Sequence, residues 1–210
     1  ADSSAKSALP CTSMPMAERP RWATVRASAS LGTALLALLA CADGQGEGEV
    51  TGSVSAPECG IDDADWDLRP DYFAQDSWEN TAIVRVQRGS NYQDLSNGLV
   101  ITISDVDEVR ASFGTPIDLS LEEAPVSITL TLDGTCRPRR REPSVLLIAR
   151  SGTITFDALY DPRADDGRET SATLDGLVMD DGEEVEPATA ELSGFFSFLF
   201  TRGRPGQRYP

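Results

Sequence analysis

The feature that most constrains this fold is strict alternation of apolar and polar residues. In "PVSITLTLDG", Val126, Ile128, Leu130 and Leu132 are separated by Ser127, Thr129 and Thr131. Successive side chains of an extended strand point to opposite faces, so this pattern predicts a half-buried strand, with Asp133-Gly134 as its turn signal. The same period recurs in "TAIVRVQRGSN" (Ala82, Val84, Val86), "NGLVITISD" (Leu99, Ile101, Ile103), "SGTITFDALYDP" (Ile154, Phe156) and "ELSGFFSFLF" (Phe196, Phe198, Phe200). With "GEVTGSVS", "SVLLIAR" and "TSATLDGLVMD", these segments predict an all-β domain. We expect an antiparallel β-sandwich or small barrel of about eight strands.

Helix is scarce. "DVDEVRASFG" predicts one short turn, with Val106, Val109 and Phe113 near helical spacing and Gly114 and Pro116 stopping it. "DDADWDLRPDYFAQDSWEN" shows no clean period and reads as a long loop that carries Trp66, Tyr72, Phe73 and Trp78.

The amino-terminal part has a different character. Residues 1–15 read as an upstream extension and residues 16–40 as an export signal. Arg19, Arg21 and Arg26 form a basic start, and an uncharged run of 14 residues extends from Ala27 to Ala40. A bilayer-spanning helix needs about 20 apolar residues, so this run is short for a stable span. "ADGQGEG" then offers nothing large enough to pack, which predicts a flexible tether to Gly48. The β domain is expected over 49–205, with 206–210 as a tail.

Beyond residue 40 the chain holds 14 Arg, no Lys and 32 acidic residues, a net charge of −18. Such a surface repels phosphate backbones, so nucleic acid is not expected as a partner. Histidine is absent from the whole chain, which removes Ser-His-Asp and Cys-His pairs, imidazole bases and His-ligated metals. Without Lys beyond residue 40, Schiff-base chemistry goes too. The chemistry left to carboxylates, hydroxyls and Arg makes a non-enzymatic role the leading expectation, with no cofactor.

Ala37-Leu38-Leu39-Ala40-Cys41 resembles the lipobox of bacterial lipoproteins. The resemblance implies diacylation of the Cys41 sulfur, cleavage before that residue, and anchoring to a membrane through several acyl chains, since one chain alone holds only marginally. By resemblance to enterobacterial sorting, Ala42 after the cysteine implies the outer membrane. An alternative stays open at this level: Ala40-Cys41-Ala42 is also an A-x-A site, and a cut before Asp43 would release a soluble periplasmic or secreted protein. The second half, particularly "SGTITFDALYD" and "GFFSFLFTRGRPGQRYP", is similar to uncharacterised lipoproteins of high-GC Gram-negative bacteria. That similarity implies location and no activity.

Removal of Cys11 and acylation of Cys41 leave Cys59 and Cys136, an even pair. In an oxidising compartment they are expected to form a disulfide closing a loop of about 78 residues.

Three further groups are candidate sites. Arg137, Arg139, Arg140 and Arg141 in "CRPRRREPS" offer guanidiniums to a phosphate or acidic partner, or are simply a solvated hairpin loop. Trp66, Tyr72, Phe73 and Trp78 offer either a stacking surface or core plugs. The acid clusters Asp62/Asp63/Asp65, Asp105/Asp107/Glu108, Asp161/Asp165/Asp166 and Asp180/Asp181/Glu183/Glu184 do not match the spacing of a calcium loop and read as solvated turns, so no metal site is assigned.

The expected protein is thus an outer-membrane-anchored lipoprotein. Its periplasmic or surface β domain binds an unidentified protein or envelope component, or serves a structural role. A soluble exported ligand-binding β-sandwich is the second reading, and a carboxylate-dependent hydrolase the third.

Overall fold

A computed structural model of the chain describes residues 46–89, 96–136, 145–164 and 167–200. The alternating segments become strands with their apolar sets inward. On β4 (Thr81–Gln87), β5 (Asn97–Ile103) and β7 (Val126–Leu132), every apolar residue of the predicted faces is buried. They pair as consecutive antiparallel neighbours, Ala82 opposite Ile103 and Ile101 opposite Ile128.

The remaining strands are β1 (Gly46–Ala56), β2 (Ile61–Leu68), β3 (Tyr72–Trp78), β6 (Ile117–Asp118), β8 (Leu146–Ala158), β9 (Glu169–Asp180) and β10 (Thr189–Leu199). They form one antiparallel sheet in the order β2-β1-β10-β9-β8-β7-β5-β4-β3, with the two-residue β6 pairing β8 off this path. The sheet curls into a half-barrel, and its all-β architecture is the one expected from the alternation.

The two edges of this sheet are consecutive in the chain. Only Arg69, Pro70 and Asp71 separate β2 from β3. Because neighbours alternate in direction along a path of nine strands, the two edge strands run the same way. They act as one bent strand that leaves β1 and joins β4, much as corner strands switch partners in orthogonal packings. Close approach at the bend requires small residues on β1. A Cβ on Gly46 would lie 2.8 Å from the Phe73 ring and 2.7 Å from Phe198 Cβ.

Three expectations are corrected here. "DDADWDLRPDYFAQDSWEN" is not a loop but most of β2 and all of β3. "SVLLIAR" and "SGTITFDALY" are not two strands but the single long β8, bent where its register with β9 shifts around Ser151. Gly152 has φ 104°, and a Cβ there would stand 2.6 Å from the Gly176 carbonyl oxygen, so glycine lets β8 bend against β9. Finally, β1 starts at Gly46, inside the segment read as a tether to Gly48.

The concave side of the curl is filled by one continuous apolar cluster that includes Phe73, Phe156, Phe196, Phe198, Leu99 and Leu147. The short helix α1 (Val106–Ala111) buries Val106 and Val109 at one end. Asp105 caps it by accepting the Glu108 N–H at 2.9 Å. At the other end, the turn Pro57–Cys59 after β1 is tied to the segment after β7 by the Cys59–Cys136 disulfide, Cα–Cα 5.1 Å. Strand β2, exposed at an edge, carries Asp62, Asp63, Asp65 and Asp67, and such charges deter pairing with another chain.

Candidate functional site

The sequence-derived sites separate in space. Cys41 and Arg137, Arg139, Arg140 and Arg141 lie outside the described residues, as do Asp165 and Asp166. The four aromatic residues do not share a surface. Tyr72 and Phe73 are buried in β3, and Trp66 packs against the core from β2. The indole N–H of Trp66 is buried without a hydrogen-bond partner among the described residues. Trp78, 73 % exposed at the end of β3, is the one of the four that stands mainly in solvent. The expected aromatic loop is therefore replaced by two strands that direct most of their rings inward.

The acid clusters have local duties. Asp180 accepts the Gly182 N–H and pairs with Arg150 at 2.9 Å, and Asp181 accepts the N–H groups of Glu183 and Ala188, which together fix the turn between β9 and β10. Asp105, Asp107 and Asp161 meet at the α1 end around a residue the sequence did not single out, Arg163. Its guanidinium donates to Asp161 at 2.9–3.1 Å, to Asp107 at 2.8 Å and to the Asn80 side-chain oxygen at 3.1 Å. Asn80 in turn donates to Asp105 and accepts the Asp107 N–H. Three chain segments, the β3–β4 turn, the start of α1 and the β8–β9 turn, are thus clasped by one cation. Among the described residues no group of three or more His, Cys, Asp or Glu is arranged to hold a metal ion.

Below this clasp sits a buried polar bridge. Gln75, 3 % exposed on β3, donates to the Tyr160 carbonyl at 2.7 Å and accepts from the Thr170 hydroxyl at 2.6 Å. Thr170 also accepts the Tyr160 N–H. Every polar atom of this bridge that leaves water finds a partner inside, so an edge strand is fastened to β9 without an unpaired group.

The Arg163 hydrogen bonds hold the Asp161 carboxyl below its ordinary value of 3.8, against the opposing effect of burial. A lowered carboxylate contributes stability that is complete above its unfolded value and is lost as pH falls through the folded one. Asp161→Ala is therefore expected to cost about 2 kcal/mol at neutral pH. In thermal melts the deficit should shrink progressively below the ordinary value of 3.8. A deficit that stays constant down to strongly acidic pH would contradict this account.

Beside the clasp, an open cleft of about 410 Å³ is lined by Arg110, Phe113, Asp157, Leu159, Arg168 and Glu169 among others. Arg110 donates to the Leu159 carbonyl at 2.6 Å and lies over the Phe113 ring, 5.7 Å from its centroid. An adjoining depression shares Glu169 and reaches Gly46 and Glu47 at the start of β1. Both are surface features, in contrast to the filled interior; the cleft carries both signs of charge, and the depression only the acids Glu47 and Glu169.

Compared with protein-family models, curated proteins and solved structures, the chain matches none.

Proposed function

We propose that this protein is an outer-membrane lipoprotein, acylated at Cys41, whose half-barrel domain is a non-enzymatic binding or structural module of the cell envelope. The observation that carries the proposal is Ala37-Leu38-Leu39-Ala40-Cys41, which closes the 14-residue uncharged run, Ala27 to Ala40, that follows a basic start. The Cys59–Cys136 disulfide supports export, because such bonds persist in oxidising compartments. The filled concave side supports a role played by the outer surface, since a curled sheet that encloses a small ligand needs internal space. Among the described residues no helix is long and apolar enough to cross a membrane. Attachment in this reading is through lipid.

Expression in a Gram-negative host with labelled palmitate tests the proposal. The wild type should incorporate label and sediment with outer membranes, whereas Cys41→Ser should do neither. An unacylated mature chain beginning at Asp43, identified by mass spectrometry, would overturn it in favour of soluble export.

A further inference from the structure

We infer that the α1 end of the half-barrel rests on the bilayer, with Trp78 and Phe113 as its interfacial side chains and an electrically neutral, zwitterionic lipid surface as its partner. This rests on Cys41 being the acylated residue. The decisive observation is where β1 starts. With Gly46 already in the strand, only Ala42 to Gln45 separate the sheet from the anchor. Even fully extended, the five Cα steps from Cys41 to Gly46 span about 17 Å. The start of β1 is held close to the lipid headgroups.

The topology decides which other parts share that end. With neighbouring strands antiparallel, the end where β1 begins also holds the end of β10, the start of β9 and the end of β8, and the end of β3 beside α1. Hydrogen bonds confirm the grouping: Val106 N–H donates to the Asn80 carbonyl, and Arg163 joins the β8–β9 turn to both. The disulfide lies at the opposite end, beyond Ala56 and about 33 Å of strand away by the rise of about 3.3 Å per residue. It points away from the membrane.

The side chains at the near end suit a lipid interface. Trp78 is 73 % exposed and Phe113 36 % exposed. Tryptophan combines an apolar ring with an N–H that prefers the wet side of a bilayer boundary. The cleft next to Phe113 presents both signs, Arg110 and Arg168 beside Asp157 and Glu169. Zwitterionic headgroups match that pattern. Anionic lipid does not, because Glu79, Asp107 and Glu108 also lie at this end and the domain is strongly acidic.

After cleavage before Cys41 the chain keeps two tryptophans, the half-buried Trp66 and the exposed Trp78, so fluorescence reads the orientation directly. The acylated protein would be reconstituted in phosphatidylcholine vesicles, with and without acyl chains brominated near the headgroup. Trp66→Phe, which keeps Trp78 as reporter, should lose most of its emission in brominated vesicles, and Trp78→Phe should keep its emission. The wild type should be quenched in part, an independent check if Trp66→Phe folds poorly. Protein that floats with the vesicles while Trp78 stays unquenched would overturn the orientation and leave the acylation intact. Failure of the isolated mature protein to carry lipid or to float would overturn the acylation and the inference with it.

Discussion

Replacing Cys59 and Cys136 together by Ala is expected to remove about 4–5 kcal/mol of stability. The bridge spans a sequence separation of 77 residues, so the reduced unfolded chain gains the freedom of a very long loop. For a domain of this size the loss corresponds to a melting temperature lower by about 10–15 °C. The location adds to the argument. On the strand path, β1 and β7 are separated by β10, β9 and β8, so the bond links two walls of the curl that share no ladder hydrogen bonds. Cys136 is buried, and Cys59 packs on the core. Thermal melts of the oxidised protein, the reduced protein and the double variant would measure the effect. Coincident melting of all three, with both thiols freely alkylated in the untreated protein, would refute the bridge.

How much of this was legible depends on what each strand faces. A strand with one wet and one packed side writes a period of two, and β4, β5 and β7 were read correctly down to individual residues. The edges write nothing of the kind. Strand β2 is open at its side, and most of its residues are exposed, so Asp62, Asp63 and Asp65 obscure it. Strand β3 fails in the opposite way. Tyr72, Phe73, Ala74 and Gln75 are buried in succession, because one set faces the core and the other is covered where the edge folds over its neighbours. Without alternation both strands read as loop. The α1 end was illegible for a different reason. Asn80, Asp107 and Arg163 are far apart in sequence, and no local pattern announces that three turns converge. "DPR" at 161–163 marks a turn, but nothing in it names Asn80 as a partner.

The edge strand that reads as loop in the sequence carries the second large prediction, at Phe73, one of the rings whose expected roles included a core plug. Phe73→Ala is expected to cost about 3–5 kcal/mol, comparable to loss of any fully buried ring. Phe73 is 1 % exposed. Its ring stacks on Phe198 with centroids 5.5 Å apart and planes at 28°, and it fills the space left by the missing Cβ of Gly46. No ladder joins β3 to the β1–β10 pair among the described strands, so this contact, with the Gln75–Thr170 bridge to β9 and the Arg163 clasp, ties β3 to the opposite wall of the curl. A double-mutant cycle distinguishes closure from mere burial. Phe73→Ala and Phe198→Ala should couple by about 1 kcal/mol, as touching aromatic rings do. Phe73→Ala and Phe156→Ala should instead add, if the two sites share no partner. Trp78→Ala, on the same strand but in solvent, should stay within about 0.5 kcal/mol of wild type in the absence of lipid. Denaturant midpoints give all of these values. If Phe73→Ala behaved like Trp78→Ala, β3 would not be an integral wall of the domain, and the bent strand from Ile61 to Trp78 could not be what brings the sheet's edges together.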